Sequence, residues 1–210
     1  MFGRLVEPGW ARKLTAPYVH ILFGARQTGK STLLRSLLPE AAIWLDLSRP
    51  GERSELLRNP DLLVQRCRAL PRSRRPSTVV VDEAQSVPAL FDAVQHLYDL
   101  DRRRWRFILC GSSARKLRAT GANLLPGRSL LHHLYPLVLA ERPPAGEATP
   151  SDWRPQVLPL PGRGPVERPF PAVELVERLA FGELPGIATA ARSRRADLLR
   201  AYSFVYLEEE

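Results

Sequence analysis

Lysine is nearly missing from this sequence. Lys13, Lys30 and Lys116 are the only three, and arginine supplies the rest of the 31 basic residues, against 22 acidic ones. The formal net charge of +9 is therefore spread as arginine from Arg4 to Arg200, with local groups at Arg72/Arg74/Arg75, Arg102/Arg103/Arg104/Arg106 and Arg192/Arg194/Arg195. Each group falls in an expected loop or helix end, and aromatic residues for base stacking are not interleaved with them. The pattern speaks for a solvated charged surface and leaves nucleic acid as the lesser reading of the charge. Cysteine is as scarce. Cys67 and Cys110, far apart, exclude a disulfide framework and fit a reduced, cytoplasmic protein with structural thiols. Long apolar runs are also absent: no segment nears the roughly 20 residues that span a bilayer. No apolar region follows Met1-Phe2-Gly3-Arg4, so neither a membrane partner nor a secretion signal is expected.

What remains has the balance of a globular chain, 44% apolar and 25% charged over 210 residues. That is one ordinary domain, with room for a small appendage. A short helix is expected before Pro17. Tyr18–Phe23 then reads as an apolar strand running into Gly24-Ala25-Arg26-Gln27-Thr28-Gly29-Lys30-Ser31. Two glycines four residues apart, followed by Lys and Ser, fit a phosphate-binding loop, and a strand before with a helix after is the setting that loop needs. Gly24 and Gly29 let the backbone curl so that successive N–H groups face inward as an anion nest. The helix beginning near Lys30 adds its unpaired N–H groups and the positive end of its dipole. Lys30 then reaches the β- and γ-phosphates, and the hydroxyl of Ser31, next to Thr32, ligates Mg²⁺.

Further strands are expected at Ala42–Leu47, Ser77–Asp82, Trp105–Cys110 and Ser129–Tyr135. Helices are expected over Asp61–Leu70, with Asp61 as cap, and from Pro88 to about Leu100. Pro50-Gly51 and Asn59-Pro60 read as turn signals that leave only a short helix between them. A short helix to about Arg118 follows Ser112-Ser113-Ala114-Arg115. Strands alternating with helices at this spacing make a parallel α/β sheet with right-handed crossovers. Its ligands sit at the carboxyl ends of the strands. The loop at Gly24, Asp82-Glu83 and Ser112-Ser113 all follow a strand and so converge on one edge.

Asp82, ending a run of three valines, is placed to hold Mg²⁺, and Glu83 is suited to align or deprotonate an attacking water. Ser112 is the candidate sensor of the γ-phosphate, whereas Ser113 reads equally well as a helix cap. Arg115 and Arg128 are the candidates for stabilising charge on the transferred phosphoryl group. His132 and His133 should point to opposite faces of their strand. Neither has partners at metal-ligand spacing.

From Glu141 to Pro171 the chain carries nine prolines and little periodicity. The expected organisation is a core over 1–141, a proline-rich linker or excursion over 142–172, and a helical segment over 173–210.

Several motifs occur in order: Gly24–Leu34, Val80–Pro88, Gly111–Leu117, Asn123–Arg128 and Leu134–Leu137, then Gly182–Pro185 and Tyr202–Glu210. Together they resemble the bacterial and archaeal AAA-type P-loop ATPases that carry an uncharacterised C-terminal domain. The resemblance implies a P-loop NTPase three-layer α/β sandwich, with a mainly parallel five-stranded sheet and a small helical C-terminal segment. In that sheet the Ser112 strand lies between the loop strand and the Asp82 strand. It also implies Mg-dependent ATP binding and hydrolysis, with Asp82 as the Walker B acid, Glu83 as the catalytic glutamate, Ser112 as sensor and Arg128 as the family's arginine. Chains of this kind continue past the Tyr-Leu-Glu-Glu segment, so this one reads as a fragment or shortened product. A nucleic-acid motor is the alternative, suggested by Asp82-Glu83-Ala84-Gln85. A nucleotide-binding module without hydrolysis is a further one, and a small-molecule kinase a weaker one.

Overall fold

The computed structural model describes residues 2–112, 124–138, 141–142 and 172–209. The chain divides into two compact units, one formed by Pro8–Tyr135 and the other by Met1–Glu7 with Pro136–Glu210.

The larger unit carries α1 (Glu7–Lys13), β1 (Val19–Phe23), α2 (Lys30–Leu37), β2 (Ile43–Asp46), α3 (Pro50–Arg58), α4 (Asp61–Ala69), β3 (Ser77–Asp82), α5 (Leu90–Leu100), β4 (Trp105–Gly111) and β5 (Ser129–His133). The five strands form one sheet in the order β2-β3-β4-β1-β5, and all four pairings are parallel. β4 lies between β1 and β3, the order that the resemblance implied.

Burial explains why these segments are strands. Val79, Val80 and Val81 are all fully buried. Successive strand residues face opposite sides, so β3 is covered on both faces, as parallel sheets require. Burying each valine contributes about 1.5–3 kcal/mol. On one face Val19, Ile21, Phe23, Val79, Val81, Phe107 and Leu109 join one core with Leu63, Cys67, Leu90, Phe91, Val94 and Leu97 of α4 and α5. Leu90, Val94 and Leu97 thus form an inward stripe of α5.

Two local expectations change. Pro50 does not block a helix but opens one. It sits in the first turn of the nine-residue α3, where its missing N–H is no loss and its fixed φ suits the helix. Asp61 is not a cap. Pro60 holds that position without a side-chain hydrogen bond, and Asp61 instead places its charge in the first turn, toward the positive end of the dipole. The helix expected to about Arg118 and the body of the proline-rich stretch lie outside the described residues.

His20 and His132, on adjacent strands, are buried on the face opposite the α4–α5 core. His20 Nδ1 and His132 Nε2 are 3.0 Å apart, and His20 Nε2 is 3.0 Å from the Ala16 carbonyl. Because the carbonyl only accepts, His20 donates there and receives the His132 N–H at Nδ1. Burial lowers the pKa of both rings, that of His132 to about 4. The indole of Trp10 packs edge-on against His132 at 5.5 Å. His132 is therefore a neutral core residue, and His133 is exposed.

The smaller unit contains α6 (Ala172–Phe181), α7 (Pro185–Ala188) and α8 (Arg192–Glu209). Glu141 is one of its anchors. Its carboxylate accepts Arg4 Nε at 3.0 Å, the Leu5 N–H at 2.7 Å and the Val138 N–H at 3.1 Å, with both charged side chains buried. Glu183 accepts Arg142 at 3.1 Å, and burial raises its pKa against the pull of Arg142 and Arg178.

Candidate functional site

The phosphate-loop candidates lie at the carboxyl end of β1. Gly29 is the cap residue of α2, with φ 90° and ψ 23°. Gln27 is also left-handed, at φ 64°, a conformation that strains a side-chain-bearing residue. Gly24 is required for a different reason. A Cβ there would overlap the Leu134 carbonyl oxygen and lie 3.1 Å from Thr28 Oγ1, so only glycine lets the chain after β5 pass this close. Leu134 N–H donates to the Phe23 carbonyl at 2.7 Å and fixes that approach. Thr28 is fully buried, its hydroxyl donating to the Ala25 carbonyl at 2.8 Å.

Lys30 opens α2 and folds back over the loop. Its Nζ donates to the carbonyls of Gly24 at 2.7 Å and Ala25 at 3.0 Å, and the side chain is buried. The N–H groups of Lys30, Ser31 and Thr32, in the first turn, have no partner inside the helix. They and the dipole make this turn an anion site. A cavity of about 550 Å³ opens here, lined by Arg26, Gln27, Gly29, Lys30, Ser31, Thr32, Ser48, Arg53, Glu83, Gln85 and Ser86.

The acids arrive from β3. Asp82 is buried, its Oδ1 accepting the Glu83 N–H at 3.0 Å. Glu83 is left-handed at φ 55° and leads into a 3-10 turn over Ala84–Ser86. Its carboxylate receives Gln85 Nε2 in a very short contact, and the same nitrogen reaches Ser112 Oγ at 3.3 Å. Ser112, just past β4, is buried. Beneath it Cys110 interacts with Asp82, and burial together with that charge raises its thiol pKa well above the ordinary value. Cys67 is pushed up to about 12 by burial. Both are free, unreactive thiols.

The donor set fits a nucleotide phosphate with its cation. Lys30 and the first turn of α2 offer positive groups to the phosphates. Ser31 and Asp82 offer the hard oxygens that Mg²⁺ takes.

One expected member is elsewhere. Arg128 precedes β5, where its carbonyl accepts the Val19 N–H. It therefore lies at the amino edge of the sheet, the length of a five-residue strand, about 16 Å, from the loop. Its Nε pairs with Asp99 Oδ1 at 2.7 Å, which lowers the Asp99 pKa. The structure does not bring Arg128 to the phosphate loop. Arg115 and Ser113 lie outside the described residues.

Three participants escaped the motif reading. Ser48 and Arg53 line the cavity because Asp46 ends β2 level with Asp82. Ser48 binds Asp46 Oδ1 through Oγ at 2.6 Å, while Glu52 takes the Asp46 N–H at 2.8 Å and seats α3 there. The acid ending the second strand was the available signal. Gln85, the third, was read only as part of a motif.

A glycine-bounded loop between a buried parallel strand and a helix, with an acid ending a strand two places away in the sheet, defines a P-loop nucleotide-binding domain. The sequence matches the AAA domain family over residues 16–142, more than half of its length, and the protein belongs to that family. No curated protein is significantly similar to it. Among solved structures, it is similar to Pif1 helicase from Candida albicans, at 13% identity and TM-score 0.41, covering 67% of this chain and 41% of that one. It is also similar to PCH-2 from C. elegans, at 19% identity and TM-score 0.36, covering 62% and 40%. A third likeness is to the E. coli MS115-1 HORMA:CdnC:Trip13 complex, at 14% identity and TM-score 0.38, covering 93% and 63%. This chain spans less than two thirds of each of those chains. No described helix is long and apolar enough to cross a membrane.

Proposed function

We propose that this protein binds Mg-ATP and hydrolyses it to ADP and phosphate, acting as an ATP-driven switch. The observation that carries the reading is the convergence of Lys30, Ser31, Asp82, Glu83 and Ser112 around one strand edge beside a cavity.

Lys30 exchanges the Gly24 and Ala25 carbonyls for the β- and γ-phosphates. Contacts of the ammonium to an anionic oxygen are stronger than those to the neutral carbonyls they replace. The first turn of α2 holds the phosphate oxygens by its N–H groups. Ser31 and Asp82 would hold Mg²⁺, which when bound neutralises phosphate charge. Glu83 orients a water toward the γ-phosphorus and takes its proton as the β–γ bridge breaks. Ser112 contacts the γ-phosphate and distinguishes ATP from ADP.

The test is Mg-ATP binding and phosphate release by the purified protein, alone and with DNA or RNA added. Lys30→Ala loses binding, and Glu83→Gln keeps binding while losing turnover. Normal turnover by Glu83→Gln removes it as the base. Tight binding with no phosphate release favours a non-hydrolysing module instead. Turnover that rises with nucleic acid points to a motor.

A further inference from the structure

The Gln85 side chain touches both Glu83 and Ser112, one from each of two strand ends. A carboxylate only accepts hydrogen bonds, so the amide nitrogen must be the atom that faces Glu83. Its two protons serve the two partners, one each. The 3-10 turn makes this possible: Ser86 N–H closes on the Glu83 carbonyl at 2.9 Å, folding Gln85 back over the edge that Glu83 has just left. Packing alone does not account for the residue. Gln85 Oε1 is buried with no hydrogen-bond partner among the described residues, a penalty that an apolar side chain of similar length avoids.

We propose that Gln85 is the positioning residue of this site, holding the Glu83 carboxylate in register with Ser112 so that the acid and the γ-phosphate sensor act as one unit. The inference rests on the ATPase reading above and adds to it how contact at Ser112 is relayed to the base. A neutral amide suits this task. It fixes the direction of a carboxylate with a single N–H, whereas an arginine or lysine would pair with the charge and weaken it as a base. When Ser112 Oγ turns to a phosphate oxygen, its bond to Gln85 must lengthen or reorient, and the amide carries that change to Glu83. ADP lacks the γ-phosphate and leaves the bridge as it stands here.

The experiment measures Mg-ATP affinity, KM and kcat for the full chain and for Gln85→Ala, Gln85→Glu, Ser112→Ala and the Gln85→Ala/Ser112→Ala double variant, with Glu83→Gln as control. Gln85→Ala should keep affinity and KM within about twofold while kcat falls about tenfold or more, the signature of an interaction needed only for the chemical step. Gln85→Glu is nearly isosteric and should fold normally. It sets a second carboxylate against Glu83 and should lose at least as much kcat. Residues acting through one bridge are not additive, so the double variant should be no slower than the slower single one. Wild-type kcat in Gln85→Ala, full activity in Gln85→Glu, or losses that multiply in the double variant would each overturn the inference. Those results, obtained while Glu83→Gln is inactive, leave the ATPase reading standing. A wild-type chain that does not turn over ATP, or an active Glu83→Gln, defeats that reading itself.

Discussion

The two edges of one sheet handle polar groups in opposite ways. At the amino edge many of them find partners within the protein. Arg128 pairs with Asp99, Tyr98 Oη donates to the Pro17 carbonyl at 3.1 Å, and Arg104 and Arg106 donate to the carbonyls of Leu70 and Leu14. At the carboxyl edge the polar groups gather around open space. Among the described residues Lys30 holds only loop carbonyls, and Gln27 and Glu83 occupy strained left-handed backbone beside a cavity of about 550 Å³. Arginine is abundant at both, so residue type does not separate structure from function here. What separates Arg128 from Lys30 is whether the charge already has a fixed opposite charge. Arg128 has one; Lys30 has neutral carbonyls that a phosphate can outbid.

The contrast can be broken most forcefully at Lys30 and Glu83. Lys30→Ala should weaken Mg-ATP binding about 100-fold or more, and Glu83→Gln should cut phosphate release by about 10²–10⁴ with binding retained. Calorimetric titration and a phosphate-release assay read the two. Near-wild-type values in either would move the site away from this edge. Gly24→Ala comes next. The added methyl overlaps the Leu134 carbonyl, so the loop or the chain after β5 must shift, at a typical overpacking cost of about 1–3 kcal/mol. Lower thermal stability together with weaker nucleotide binding is the expected result, and an unchanged melting midpoint would show that the close approach is not needed.

Between the edges, the His20–His132 pair predicts an acid-sensitive fold. Both rings have folded pKa values below the ordinary 6.5, so the unfolded chain binds more protons as pH falls. Their stabilisation is complete above about 6.5 and is lost as pH drops toward about 4, with a slope up to about 1.4 kcal/mol per pH unit for each proton. Denaturant midpoints at pH 7.5, 6 and 5 check this, and His132→Asn should flatten the dependence. The smallest effect belongs to Arg128→Ala. It removes a partly exposed pair at the amino edge and should leave turnover and nucleotide affinity within about twofold. A large loss of turnover would return Arg128 to the chemistry.

Much of the sheet was legible because its strands are short, nearly unbroken apolar runs bounded by turn residues. Val79–Val81 and Phe107–Cys110 permit little else. The loop was legible because Gly24, Gly29, Lys30 and Ser31 have one spacing that suits phosphate. Arg128 was misjudged because a motif fixes neighbours in sequence but not which end of a strand they occupy. A residue before β5 and one after it differ by a whole strand length. The start of α3 was hidden because Pro50 both ends and begins helices, and only the anchoring of Leu56, fully buried, decides between them. Gln85 escaped because its role depends on Ser112, 27 residues away, through a turn that no local pattern announces. The anchoring role of Glu141 escaped because its partner, Arg4, lies at the other end of the sequence.

That partner has a consequence in time. Arg4 precedes Glu141 by 137 residues, which at roughly 5–20 residues per second is about 7–27 s of synthesis. During that interval β1 to β5 are all made, while Arg4 waits without its counter-charge. The nucleotide-binding unit can close before the smaller unit has its first anchor. The opening residues of the chain are thus among the last to find their place.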